Sequence, residues 1–549
     1  KHEWFLAAST GDLQTIQNLV DQYQKSTDER LRTALMYAAM NNQMNAVQLL
    51  SRYEMGCQSE NGYTALMFAM SNGHYDIASI LSSEMHLCSK NNTTALMLGA
   101  ASGLKSVSIF QSQVKKFNDQ GLSAIMICAI QDNTALFDAL FPAEGLLKNQ
   151  HNVTTLMVAA GCGRTHFVQF IIKQHPQLLK QQDSQGKTAL RYAFDQMEKA
   201  GDQLQNYADI IYELVNYEGE ITANDQKTTL MLACQNNVQD IAQNYANTQI
   251  KMQDENGITA MMYASQCGAI ELVQMLKPDE QRMTDSKGRS AFLHAAENAQ
   301  LEIFNELVQE EFEILDNDQQ HVMHYAARVN CAEIIEIILE TFIGQADANG
   351  VTTLMTAAKN NSVDCFPHLT KELKLKDNQL NTALHWAAMG DSPQGCRQFA
   401  KQNSKNEDGR FPIDLALQTD CGGAFVVLVE KQKVISFADA VEQNKAKICK
   451  TVVDVARGQS FQYEKFTPAE EQSCKNLLSQ KKDGQSLIFL AIKSKSWAAV
   501  RVLAPVFSKE TNEKGHSPLM FFLQQKEIDN QKEFLKAGRV LIKYCAGQQ

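Results

Sequence analysis

An all-α solenoid of helical hairpins, about seventeen in number, is the fold class this sequence predicts. Three observations predict it. Thr33-Ala34-Leu35-Met36 returns as Thr64-Ala65-Leu66-Met67 and again as Thr94-Ala95-Leu96-Met97. The same register continues through positions 123, 154, 188, 228, 259, 290, 321, 352, 382 and 411, and resumes at 486 and 517, mostly at spacings of 29 to 31 residues. Within each period the apolar residues follow helical spacing, and polar turn residues separate the helical stretches. Trp4 to Val20 reads as a first unit without its turn, and Phe437 to Val453 as a degenerate one.

Each element has a local reason. Thr64 suits a helix N-cap, where its hydroxyl can accept from a backbone N–H of the first turn. Leu66, Ala69 and Met70 then recur on one face, with Ala small enough for close helix approach. Gly73 ends the helix, and its counterparts are Gly103, Gly163, Gly268, Asn42, Asn237, Asn330 and Asn361. Gly and Asn are the residues that tolerate a left-handed C-terminal turn. Ile77, Ile80 and Leu81 form the stripe of a second helix. A turn of the form Asp-x-x-Gly-x-Thr/Ser follows, as in Asp254 to Thr259 and Asp285 to Ser290, with Asp for an Asx-turn and Gly for positive φ.

These units resemble ankyrin repeats, whose pattern opens Gly-x-Thr-Pro-Leu-His-x-Ala-Ala. Gly257-Ile258-Thr259-Ala260-Met261-Met262-Tyr263-Ala264 and Asn381-Thr382-Ala383-Leu384-His385-Trp386-Ala387-Ala388 carry the resemblance. The family's Pro survives only at Pro412 and Pro518, and its His is usually Met, with His324 and His385 as exceptions. Met is expected to fill the place of His by contact alone. The Met-rich form resembles ankyrin-only families of diplomonad flagellates. The resemblance implies a non-catalytic scaffold or adaptor that binds other proteins along a groove of turns and first helices. It also implies a cytoplasmic, in some cases cytoskeletal, setting. A regulatory array of a larger enzyme such as a protein kinase is the alternative.

Composition narrows the partners. The 549 residues are 44% hydrophobic and carry a net charge of −11 spread along the chain. That balance argues against nucleic acid or an anionic membrane surface, both of which need a basic face. No run approaches the ~18 apolar residues of a membrane span. The thirteen Cys are scattered without a CxxC, which suits free thiols in a reducing compartment. No cofactor or metal is expected, and the oligomeric state is open.

Two places break the register. Phe194 to Asp209 adds residues between the two helices of one unit, as a projecting loop or as a longer helix pair. Between Thr419 and Lys482 no Thr-Ala-Leu-Met-like start is found, so either the solenoid turns there or two degenerate units stack in line. Thr467-Pro468-Ala469-Glu470 in that stretch reads as a capped helix start. The expected organisation is a capping repeat over 1–32, a regular array over 33–418 with the insertion at 194–209, degenerate repeats or a seam over 419–482, and C-terminal repeats with a cap over 483–549. Stacked at the ~8–10 Å spacing of packed helices, the units would make a curved rod on the order of 150 Å long.

Few constellations point to chemistry. Gly186-Lys187-Thr188 ends like a phosphate loop, but the upstream Gly position holds Gln181. His321 and His324 are three apart without a third ligand, and Cys162 stands at a helix end where its thiol is not activated. Tyr37, Phe68, Tyr192, Tyr263, Tyr325 and Trp386 share one repeat position, between core and an exposed stripe. Asp183, Asp254, Asp285, Asp316, Asp347 and Asp377 each stand five residues before the Thr position. Turn chemistry accounts for them; as a partner-binding set they would form an acidic edge that steers a basic protein surface.

Overall fold

Thr64 begins a helix because the backbone there is extended (φ −94°, ψ 172°) and its hydroxyl accepts the Met67 N–H at 3.3 Å. The same bond recurs at Thr94, Thr154, Thr228 and Thr259. The computed structural model describes residues 2–432, 437–460, 465–482, 485–525 and 530–545. Seventeen first helices recur among them, from His2–Thr10 and Ala34–Met40 to Leu487–Lys493 and Pro518–Leu523. Most second helices have eleven residues, as in Met44–Glu54, Ile270–Glu280 and Leu301–Glu311. After Thr64 and Thr352 the second helix tightens into paired 3-10 turns, Tyr75–Ser79 with Ser82–His86 and Val363–Cys365 with Thr370–Glu372. The chain divides into two compact units, Lys1–Asn256 and Gly257–Gln549, each a stack of such hairpins. In the first, Ala65–Ser71 packs between Ala34–Met40 and Ala95–Ser102, and Ala38, Ala39, Ala69 and Ala100 at the contacts are fully buried.

The helix ends follow the Gly/Asn pattern. Gly73, Gly103, Gly163 and Gly268 have φ from 68° to 99°, and Asn42, Asn237, Asn330 and Asn361 from 51° to 58°. Ala299 and Lys495 also adopt left-handed φ, at 54° and 57°, which no local signal announces. The role expected of Met needs correction. Met157 Sδ accepts the Thr154 N–H at 3.4 Å, and Met262 Sδ accepts that of Thr259 at 3.5 Å. In the His version, His385 Nδ1 takes the Thr382 N–H at 3.1 Å. Sulfur is a weak acceptor but it occupies the same place. His324 and His385 additionally reach Val351 O and Arg410 O of the next hairpin, at 3.0 and 3.3 Å.

The insertion is a longer helix pair. Ala189–Met197 runs through the 3-10 turn Gly201–Gln203 into Leu204–Glu218, a second helix of fifteen residues. Tyr207 anchors it, donating to Gly161 O at 3.0 Å. Between Thr419 and Lys482 one hairpin and one extra helix take the place of two hairpins in line. Phe437–Glu442 and Ala446–Ala456 form the hairpin, and Ala446–Ala456 packs directly on Trp497–Phe507 of the next. Pro468–Leu478 lies across Gly422–Gln432 and Ala446–Ala456. Thr467 caps it in a reciprocal box with Glu470, whose carboxylate also holds Arg397 at 2.8 Å. Residues 433–436 and 461–464 of this interval lie outside the described residues.

Successive hairpins are joined by a buried acid. Glu84, 1% exposed, accepts the Leu66 N–H of its own first helix at 2.8 Å and the Gly56 N–H of the preceding hairpin at 2.9 Å. Glu54, Glu144, Glu218, Glu311 and Glu372 repeat this, with Lys25, Lys115, Lys180, Arg282 and Gly344 as the preceding donors. Every one of those donors has left-handed φ, from 60° to 84°. Where the acid is replaced by Gln, the same peptide is turned over. Gln113, Gln249 and Gln402 keep the bond to the first helix but donate to the carbonyls of Met85, Gly219 and Leu373. The residue after each of those carbonyls is not left-handed. An ionised carboxylate only accepts and an amide also donates, so the side chain selects the orientation of a peptide bond one hairpin away.

Two outcomes test this joint. Glu84→Ala strands two buried N–H groups, which cost about 1–3 kcal/mol each. Its thermal midpoint should fall well below that of Glu84→Gln, which is expected to stay close to wild type because Gly56 can reverse its peptide. Burial is the largest influence on Glu54, Glu84, Glu218 and Glu372 and holds their carboxyls above the usual value of 4.5 against the bonds from backbone N–H. A raised folded pKa gives stability that is full below the unfolded value and is lost as pH rises through the folded one. Wild type should therefore gain on the fourfold Gln variant between pH 8 and about 4.5; a difference in melting temperature that is flat over that range would refute the assignment.

Candidate functional site

The turn that precedes each first helix and the outward side of that helix meet along one edge. In this register the residue before the N-cap and the residue seven beyond it lie side by side. Lys187 bonds Asp195 at 2.8 Å, Arg289 bonds Glu297 at 2.8 Å, and Arg410 bonds Gln418 at 2.6 Å. These braces use a base in the turn and an acceptor on the helix. The Lys187 of the Gly-Lys-Thr sequence is thus held by Asp195.

Two hairpins of the second unit depart from that arrangement. Arg328 stands on the helix, at the position that Asp195, Glu297 and Gln418 hold in other hairpins, and donates to the amide oxygen of Gln320. Lys359 occupies the next such position opposite Val351. Among the described residues neither cation has a carboxylate within 4.0 Å. Each instead lies over a ring: the Arg328 guanidinium 4.5 Å from the centre of Tyr325, and the Lys359 ammonium 5.2 Å from that of Trp386. Both cations line a groove of about 500 Å³ together with Asn349, Thr356, Asn360 and Trp386. A second depression of about 420 Å³ continues it past Arg289 and Tyr325.

The six aspartates read from the sequence frame these turns from inside. Asp183, Asp254, Asp285, Asp316, Asp347 and Asp377 are 5–9% exposed. One oxygen of Asp316 accepts the N–H groups of Asp318 and Gln320, at 2.9 and 2.7 Å, and the other accepts the Tyr325 hydroxyl at 2.6 Å. Asp183 holds Tyr192 in the same way, Asp377 holds the indole N–H of Trp386, and Asp285 holds His294. Asn118, Asn149 and Asn406 take the position where the helix residue is Ile127, Val158 or Leu415 and has nothing to donate. The second carboxylate oxygen is present where a donor faces it. Little of this charge is presented outward. For Asp285, burial works against ionisation, but His294 and Arg289 prevail and hold it at about 2, so its stabilising effect is lost only as pH falls from 3.8 toward that value.

The shared aromatic position is of both kinds. Tyr263 and Tyr325 are buried at 5% and 2%, whereas Tyr37, Phe68, Tyr192 and Trp386 are half-buried. His321 and His324 meet edge to face at 4.2 Å, and His321 stacks on Phe342 at 4.8 Å. Burial, with His324 beside it, pushes His321 down to about 3, so this pair is neutral core. No cluster of three metal-ligating side chains occurs among the described residues. Burial pushes the thiols of Cys128, Cys365, Cys449 and Cys474 up to about 12, and raises that of Cys162. The Arg328–Lys359 pair is what sequence reading missed, although the exchange of base and acceptor between positions 320 and 328 was visible there.

Comparison with known families agrees with the geometry. A family model of ankyrin repeats in three copies matches residues 4–91, 202–283, 272–349, 292–377 and 338–409, and one of ankyrin repeats in many copies matches 136–193. These segments span more than half of the chain, which belongs to the ankyrin-repeat family. Ankyrin repeats are in general protein–protein interaction modules. No curated protein matches the chain. No helix among the described residues is long and apolar enough to cross a membrane.

The aspartate bracket is open to a double-mutant cycle. Asp316→Asn and Tyr325→Phe should each lower the stability of the hairpin, and the pair should fall short of additivity by about 1.5–3 kcal/mol, the scale of a hydrogen bond to a charged group. Additive losses in chemical denaturation would show that the two side chains act separately. Treatment with EDTA or with a thiol reductant should leave the melting temperature unchanged.

Proposed function

We propose that this chain is a non-catalytic scaffold or adaptor that holds protein partners against its turns and first helices. The observation that carries the reading is two adjoining repeat positions, four and seven beyond the N-cap, where side chains reach solvent. Phe68, Leu98, Ile127, Val158 and Trp386 stand at the first of these, and Arg328 and Lys359 at the second. Positions that change character along the chain suit partners laid across several hairpins, each hairpin contributing a few contacts. The buried aspartates serve this face by fixing the turns that border it. The cytoplasm is the proposed setting, cytoskeletal anchoring being one role open to such an adaptor. Thirteen cysteines scattered without a CxxC suit a reducing compartment.

Site-specific photo-crosslinking tests the face. A benzophenone side chain at Leu98 or Asn360 should give discrete adducts with partner proteins in an extract of the native cell. One at Ile337, exposed on a second helix, should not. Adducts that form equally well from Ile337 would overturn the assignment of the binding face.

A further inference from the structure

We infer that the groove lined by Arg328, Lys359 and Trp386 binds an acidic peptide segment of a protein partner, with carboxylate side chains seated on the two cations. This rests on the protein-binding reading above and names the chemistry of the partner at one place along the face.

The internal comparison carries the inference. In several other hairpins a base in the turn is tied to an acceptor on the helix, as Lys187 is to Asp195, Arg289 to Glu297 and Arg410 to Gln418. Those cations brace the hairpin. At Arg328 and Lys359 the positive charge stands on the helix, Arg328 meeting the Gln320 amide oxygen and Lys359 standing opposite Val351, and no carboxylate neutralises either cation. Arg328 is fixed by Gln320 and by the Tyr325 ring, and Lys359 lies over Trp386. A cation held over an aromatic face is oriented while its remaining donors stay free.

The rest of the lining suits an extended acidic chain. Asn349 and Gln379 add amide groups to the lining, while those of Asn360 and Asn378 donate to Thr356 O and Ala348 O. The acids in the lining, Asp347 and Asp377, are 8% and 5% exposed. Asp347 accepts from the N–H groups of Asn349 and Val351 and from the Gln320 amide. Asp377 accepts from the N–H groups of Gln379 and Asn381, from the Asn381 amide and from the Trp386 indole. Their lone pairs are engaged, which weakens their opposition to an incoming carboxylate. In a chain of net charge −11, two neighbouring cations without a carboxylate within ion-pair distance present positive charge outward, above aspartates that are nearly buried. Outward positive charge selects acidic ligands over basic ones.

The test uses the whole chain and fluorescence anisotropy of a fluorescein-labelled Glu/Ser/Gly peptide, against Gln/Ser/Gly and Lys/Ser/Gly peptides of equal length. The acidic peptide should bind at least tenfold more tightly than either, and less tightly as salt is raised. Arg328→Gln with Lys359→Gln should weaken it at least tenfold, while Lys105→Gln, an exposed site in the first unit, should leave it unchanged. Arg328→Glu with Lys359→Glu should transfer the preference to the Lys peptide, a gain that misfolding cannot imitate. Equal binding of the acidic and Gln peptides, an equal loss with Lys105→Gln, or tighter binding of a labelled single-stranded oligonucleotide would each overturn the inference. If any of these occurs while crosslinks persist at Leu98 and Asn360, the protein-binding face stands and only the acidic partner is lost.

Discussion

The buried acid at the end of the second helix is the constraint on which the stack depends. A short first helix leaves N–H groups at its start without partners. The N-cap Thr satisfies one, as Thr64 does for Met67, and the buried Glu satisfies its neighbour, as Glu84 does for Leu66. The second bond of the acid, to Gly56, comes from the hairpin before. One side chain thus closes its own hairpin and fixes the next interface. A missing acid would leave donors unpaired on both sides of the contact, where burial makes each of them costly. Nearest-neighbour coupling, the defining property of a repeat array, here has an atomic form in addition to apolar contact.

The exceptions follow from the same constraint. At Gln113, Gln249 and Gln402 the joint survives because the peptide it meets presents its carbonyl instead of its N–H. Phe342 stands at the acid's place in the hairpin that begins with His321, and the polar joint gives way to a stacked imidazole and ring. Cap and acid change together there, since a Thr hydroxyl facing Phe342 would have no carboxylate to donate to, as Thr64 has in Glu84. This coupling explains why an isolated His–x–x–His sequence sits in the core with neutral rings.

Most of the fold was legible in the sequence because its signals are local. Thr before an apolar helix, Gly or Asn after it, and Asp-x-x-Gly in the turn each satisfy backbone groups within a few residues. The joint was not read, because Glu84 and its donor Gly56 are 28 residues apart and an acid at a helix end resembles a surface residue. A signal existed in the recurrence of Glu or Gln about twenty residues beyond most N-caps. The site was less legible. Asp316 and its counterparts were visible as a series, but whether a carboxylate faces water or the Tyr325 hydroxyl depends on packing that the turn pattern does not encode. The extra helix Pro468–Leu478 was recognisable by its cap, whereas its position across two hairpins rests on non-local contacts, including Arg397 with Glu470.

Stability and recognition are separated in this architecture by position within the repeat. The N-cap, the buried acid and the turn Asp are fixed by backbone hydrogen bonds, so substitution there propagates to a neighbouring hairpin. The residue before the cap and the residue seven beyond it answer chiefly to one another and to solvent. These positions range from aliphatic, as at Val153 and Val351, to charged, as at Lys187, Arg289 and Arg328. Arg328 and Lys359 show how far that freedom extends: the positive charge stands on the helix instead of in the turn, and the turns held by Asp316 and Asp347 are kept. A surface that can change sign over two hairpins while its scaffold stays constant is the physical basis on which one repeat can serve different partners along one chain.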